Sequence, residues 1–290
     1  MKKAVIFAAV ATVLCNASLK AQEISENIAK YQLGDFTVYS LSDSHGTVKE
    51  SLIGNADKTI LERAKRPGWD DNSVNYFLLD AGAEKILFDA GLPAQSGGKI
   101  MANLKQVGVK AQDITMVVLT HMHGDHIGGM LDAKGNKAFP NANIFVGAEE
   151  AAYWSDETQT GQGFLNARNV MKVYEGAVVK FAKKTQILPS VQSVPLFGHT
   201  PGHTGYWVES NGQKLLIWGD VIHAAVQFDN PEIFLTYDVD PKTATKTRKS
   251  ILKKAASSKN TKLAGMHLEG HGLGVVEKEG KSGYKFTLEQ

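Results

Sequence analysis

An α+β fold built on two facing sheets is what this 290-residue sequence predicts. Three observations predict it. Short β-branched runs alternate with two longer helical patterns, a strand-turn-strand segment recurs once, and a dense group of histidines closes one of the strand runs.

The strand runs come in order. Phe36 to Leu41, Asn75 to Leu79, Lys85 to Asp89, Ile114 to Thr120 and Asn143 to Val146 are apolar and bounded by Gly, Asp or Asn,. Gly205 to Glu209, Lys214 to Trp218, Lys262 to Gly265 and Tyr284 to Leu288 follow. Helices are expected at Gly98 to Val107 and at Pro241 to Ser257. The second has Asp240 placed to cap it, Pro241 in its first turn and lysines toward its C-terminal half,. The recurring segment is "FLLDAGAEKILFDAG" from Phe77 and "YWVESNGQKLLIWGD" from Tyr206, offset by 129 positions. Each half reads as a hairpin with a tight turn, so two similar sheets are expected to face each other and end near a shared edge.

The N-terminus has the form of a secretory signal over residues 1–21. Lys2 and Lys3 precede the apolar run Ala4 to Leu14, and Leu19-Lys20-Ala21 offers a cleavage site before Gln22,. The apolar run is too short to span a bilayer. Cys15 is the only cysteine, and Leu14 is too large for the residue before a lipidated cysteine. The mature chain, 22–290, would hold no thiol and is expected to form a single domain in the periplasm or outside the cell. Setting aside Lys2, Lys3 and Lys20, the 32 basic residues fall to about 29 against 30 acidic ones,. A near-neutral chain offers no electrostatic case for nucleic acid or an anionic membrane.

The sharpest signal is "LTHMHGDHIGGM", in which His121, His123, Asp125 and His126 follow an apolar run. Chance would place H-x-H-x-D-H in about one window per million. Imidazole mixed with carboxylate suits zinc or another first-row metal better than calcium. His121 and His123 alternate along an extended segment and face one way. Gly124 is read as a pivot that turns Asp125 and His126 elsewhere, which points to two metals. Gly128 and Gly129 leave room for close packing. His199 and His203 in "FGHTPGHT", Asp220 in "IWGDVIH" and His267 in "LAGMHLEGHG" each lie beside a strand run. Strand ends on one sheet edge converge, so together they complete a dinuclear set, with Asp220 able to bridge.

These ordered motifs resemble the metallo-β-lactamase superfamily, and the resemblance covers the whole mature chain. It implies a four-layer αββα sandwich with metals at one edge. It further implies that His121, His123 and His199 hold one ion, that Asp125, His126 and His267 hold the other, and that Asp220 bridges them. By the same resemblance His203 and Asp89 support the ligands. Within the superfamily, "SVNYFLLDAG" and "FGHTPGHTGYWVESNGQKLLIWGDVIHAAVQFDNP" look like the methyl parathion hydrolases and their quorum-quenching lactonase relatives. Gly124 departs from the proline common in the phosphotriesterases.

The expected chemistry is hydrolysis of a small ester-like substrate, whether lactone, aryl ester or phosphotriester, by hydroxide bridging two divalent ions. Zinc heads the candidates, with manganese, cobalt and iron behind it. Asp125 is expected to orient the hydroxide as well as to ligate. His223 occupies the position at which the resembling lactonases carry a tyrosine, and is read as a candidate proton donor. Trp154 is a candidate pocket aromatic, while Phe164 and Phe228 are read as core. His45 and His271 match no ligand position. Competing readings are a β-lactamase, a thioesterase, an iron-dependent oxygenase, or a periplasmic metal-binding protein without catalysis. A homodimer is compatible with all of them.

Overall fold

The computed structural model describes residues 22–54, 62, 67–258, 260–281 and 283–289. The expected signal, with Cys15, lies outside these. Among the described residues fifteen strands form two mixed sheets. The first holds β1 (Gln22–Ser25), β2 (Ile28–Leu33), β3 (Phe36–Thr47), β4 (Asp71–Asp80), β5 (Lys85–Phe88), β6 (Met116–Val118), β7 (Asn143–Gly147) and β8 (Val178–Phe181), side by side in chain order. The second holds β9 (Gln186–Leu188), β10 (Val191–Pro195), β11 (Thr204–Ser210), β12 (Gln213–Ile217), β13 (Thr261–Ala264), β14 (Leu273–Glu279) and β15 (Gly283–Leu288), likewise in chain order.

The recurring hairpins are structurally equivalent. Phe77 pairs with Phe88 and Asp80 with Lys85 in one sheet, and Tyr206 pairs with Ile217 and Glu209 with Lys214 in the other. Each hairpin then gains a parallel neighbour, β6 beside β5 and β13 beside β12. Parallel pairing needs a crossover. Helix α1 (Ile100–Gln106) supplies it on the first sheet, and α6 (Pro241–Ser257) on the second. The Asp240 side chain accepts the Thr243 N–H at 3.0 Å, capping α6 as its sequence predicts,.

Side-chain alternation sorts the core into layers. Phe77, Leu79, Ile86 and Phe88 meet Tyr206, Val208, Leu215 and Ile217 between the sheets. Leu78 and Leu87, on the opposite face, pack under Ile100 and Leu104 of α1. Leu216, Trp218 and Leu263 pack under Ile251, Leu252 and Ala255 of α6. The layers therefore run helix, sheet, sheet, helix, as expected. Phe228, in the short helix α5 (Val226–Asp229), lies in the α6-side core, and Phe164 packs on the α1-side core. No helix among the described residues is long and apolar enough to cross a membrane.

The Ile114 to Thr120 run keeps only three strand residues; the Leu119 N–H still donates to the Phe145 carbonyl at 2.9 Å, and from Thr120 the chain runs into the histidine loop. Strands β3 and β4 run further than their apolar segments and pair from Thr37–Asp80 to Thr47–Asp71. Their extra length overhangs the sheet edge and becomes a wall of the site.

Candidate metal centre

Every candidate ligand leaves the same edge of the sandwich. After β6 the chain stays extended through His123, and Thr120 is held by Asp89, which accepts its N–H at 2.8 Å and its hydroxyl at 2.7 Å. His123 is the N-cap of the short helix α2 (Gly124–Ile127), so Asp125 and His126 lie on its first turn and swing away from His121 and His123. That helix start, rather than any freedom of Gly124, divides the loop between two directions. Gly124 has no positive φ, and a Cβ there would meet nothing within 4 Å. As the first helical residue after an extended His123, it occupies a position proline also suits,. Glycine is required at Gly219 instead. Its φ is 60° and a Cβ would collide with the His203 ring, so only glycine lets β12 turn Asp220 inward,.

Two groups of ligand atoms answer the two expected ions, both including or touching Asp220, and a third, of Asp220, His223 and His267, overlaps the second. In the first, His121 Nε2 and His123 Nδ1 are 3.0 Å apart, His123 Nδ1 and His199 Nε2 2.9 Å, and His121 Nε2 and His199 Nε2 3.2 Å. Asp220 Oδ2 completes it at 3.5 Å from His121 and 3.3 Å from His199. Tetrahedral zinc with ordinary bond lengths separates its ligand atoms by about 3.3 Å. In the second, His267 Nε2 lies 3.3 Å and His126 Nε2 3.7 Å from Asp125 Oδ2. Asp220 reaches this group too, Oδ2 at 3.1 Å from His267 and Oδ1 at 3.3 Å from His126.

Hydrogen bonding on the outer side decides which nitrogen faces in. His121 Nδ1 donates to Thr120 Oγ1, His126 Nδ1 to Asp89 Oδ2, His199 Nδ1 to Asp238 Oδ1 and His267 Nδ1 to the Ser73 carbonyl. Arg248, on the buried face of α6, donates to Asp238 Oδ2 at 3.2 Å. The inward nitrogens are thus the ones left for a ligand, and His126 Nε2 and Asp220 Oδ1 are buried with no hydrogen-bond partner among the described residues. Such orphaned polar atoms fit a site built for a cation.

The electrostatics say the same. Burial and the neighbouring His126 keep His121 well below its ordinary pKa, and burial with His199 brings His123 to about 3. Burial opposes charge on His126 and His267 as well, but the carboxylates around them prevail. His126 is raised well above its ordinary value and His267 to about 10. Asp220 and Asp125, though buried, are held low by those imidazoliums. Without metal, protons do part of the work of cations.

His203 joins neither group. Its Nδ1 donates to the Leu196 carbonyl and its Nε2 accepts the Asp220 N–H, both at 2.9 Å, which orients the bridging candidate. Burial holds it at about 3. His223 lies 3.2 Å from Asp220 Oδ2 and stacks on His267, with burial lowering it to about 4. A neutral ring beside Asp220 is a weaker proton source than the imidazolium expected of a donor. Trp154 is buried rather than lining the open cleft. Its ring makes a T-shaped contact with His123, centroids 5.4 Å apart, and its indole N–H donates to Glu150. His45 hydrogen-bonds Ser73 and, like His271, stays outside both groups. The cleft above the ligands, about 620 Å³, is walled by Thr47, Lys49, Leu52, Asn72, Val74 and Tyr237. Sequence reasoning missed Asp238, Lys49, Asn72 and Tyr237, none of which carries motif spacing.

Comparison with known proteins agrees with this geometry. The chain is 28% identical over 226 residues to an N-acyl homoserine lactonase of Bacillus cereus, a match covering 66% of this chain and 83% of that one. The first two curated relatives it matches are spanned over only 61% and 51% of their own lengths. A solved hydrolase of the β-lactamase superfamily, AbOPH, superposes with a TM-score of 0.81 at 26% identity, over 91% of this chain and 98% of that one. AidC, a dizinc quorum-quenching lactonase solved with the product N-hexanoyl-L-homoserine, gives 0.82 at 26% identity, over 92% and 99%. With the metallo-β-lactamase superfamily model matching residues 69–280 across both sheets and every candidate ligand, this chain belongs to the metallo-β-lactamase superfamily.

Proposed function

We propose that this chain is an exported two-zinc hydrolase of small ester-like substrates, with lactones foremost. The observation that carries the proposal is Asp220, a single buried carboxylate within 3.5 Å of ligand nitrogens from both groups. Lactonase relatives support the substrate class. Two divalent ions in this setting supply Lewis acidity and a source of hydroxide at neutral pH. His121, His123, His199 and Asp220 would hold one ion, and Asp125, His126, His267 and Asp220 the other.

The remaining work falls to the chain itself. Asp89, Asp238 and the Ser73 carbonyl fix the tautomers of His126, His199 and His267. Asp125, on the cleft side of its group, can orient an attacking oxygen. Leu52 and Val74 offer apolar contact to an acyl or aryl group, while Lys49 and Asn72 offer charge and hydrogen bonds at the mouth,. Protein recovered from the exported fraction is expected to begin at Gln22, carry two zinc ions and open acyl lactones. Chelation should remove the activity and zinc should restore it. Lactone hydrolysis surviving complete metal removal would sink the proposal.

A neutral His223 leaves the departing group to take its proton elsewhere. His223→Ala is therefore expected to change kcat/KM by one common factor across aryl esters of graded leaving-group pKa. A dependence that steepens in the variant would restore the donor role.

A further inference from the structure

One buried carboxyl serves the site without belonging to either ligand group. Glu150 lies in α3 (Ala148–Trp154), immediately after β7, and is 1% exposed. Its Oε1 accepts the Met122 N–H at 2.9 Å and the Trp154 indole N–H at 2.6 Å. Its Oε2 accepts the Thr200 hydroxyl at 2.6 Å and the Gly202 N–H at 3.1 Å. All four donors are neutral, so a costly buried carboxyl is stabilised by hydrogen bonds alone.

The partners' places in the chain give this arrangement meaning. Met122 stands between His121 and His123, on the loop leaving the first sheet. Thr200 and Gly202 stand between His199 and His203, on the loop of the second sheet. Gly202 packs so closely that a Cβ would collide with the Glu150 backbone. Trp154, tied to the same oxygen as Met122, sets its ring edge against His123. One side chain thus spans the two loops whose three imidazoles must meet.

We propose that Glu150 is a positioning residue that fixes the spacing of the His121, His123 and His199 nitrogens and so sets the affinity for the ion those three would hold. It rests on the two-metal reading above. The outer hydrogen bonds of His126 and His267 go to Asp89 and the Ser73 carbonyl instead, and Glu150 bonds none of Asp125, His126 and His267. Glutamine at this position keeps the size but turns one acceptor into a donor. With its oxygen toward Met122 and Trp154, its NH2 would face the Gly202 N–H, and the His199 loop must give way.

The test uses the full mature protein, stripped of metal and titrated with cobalt(II) against a competing chelator. Glu150→Gln is expected to weaken one of the two cobalt ions by about ten- to a hundredfold and to shift its visible absorption, leaving the other within about threefold. Equal weakening of both ions, or unchanged affinities and spectrum, would overturn the proposal. Should Glu150→Gln fail to fold, Trp154→Phe decides, since it keeps a ring against His123 but withdraws one donor. It should weaken the same ion by about three- to tenfold, and no change overturns the proposal. Wild-type protein that takes up no cobalt overturns the two-metal reading itself, and this one with it.

Discussion

Replacing Asp220 with alanine is expected to lower metal content below two ions per chain and to cut kcat/KM by about a thousandfold or more. Asp220 stands within reach of ligand nitrogens in both groups. Its Oδ2 lies 3.1 Å to 3.5 Å from His121, His199 and His267, and its Oδ1 3.3 Å from His126. Its removal deletes a ligand from each ion and the negative charge that lets two cations approach. Asp220→Asn separates these effects, keeping the shape and one acceptor oxygen while losing the charge. Metal analysis of both variants, alongside lactone hydrolysis, checks the expectation. Two ions retained in Asp220→Ala, with a rate within about tenfold of wild type, would remove Asp220 from its shared position.

The two ions are also expected to respond differently to pH. In the metal-free protein His267 titrates at about 10 and His126 well above its ordinary value, so both hold protons at neutral pH. A cation binding there must expel them, and its apparent affinity falls as pH falls, by about tenfold per pH unit for each proton displaced. Two protons make that about a hundredfold per unit. His121 and His123 are pushed the other way and are already neutral, leaving only His199, which is raised, to compete at the first group. That slope should be shallower, since at most one proton is displaced there against two. Chelator-competition titrations with zinc between about pH 6 and 8 would resolve the difference. Equal slopes for both ions would contradict the charge distribution described above.

Much of the architecture, and the candidate ligands that the structure brings together, could be read from the residues, for identifiable reasons. Strands with apolar or β-branched runs stand out, and the 129-residue repeat foreshadows two hairpins of the same register. Histidine and aspartate at strand exits are too improbable to overlook. Other elements lack such marks. Strand β14 begins apolar but ends in the charged run Glu277-Lys278-Glu279, and helix α4 (Gln162–Val173) fully buries only Ala167 and Val170. Residues that act by reaching across the fold were invisible for a deeper reason. Asp238 finds His199 only because a long segment after β12 folds back and is clamped by Arg248, and Glu150 finds Met122 and Gly202 only once the sheets are stacked. The reading of Gly124 as a pivot shows the converse, since a glycine in a motif invites an argument from flexibility that its backbone does not need.

The equivalence of the two hairpins has one more consequence. His121, His123, Asp125 and His126 come from the first sheet's edge, and His199, Asp220 and His267 from the second's. Neither half owns a complete coordination sphere, so an ion held by either group would staple the two sheets along their seam. In a chain whose only cysteine is Cys15, such ions would do work that disulfides do elsewhere. Losing them would part the halves at one rim while the apolar interior still held them together.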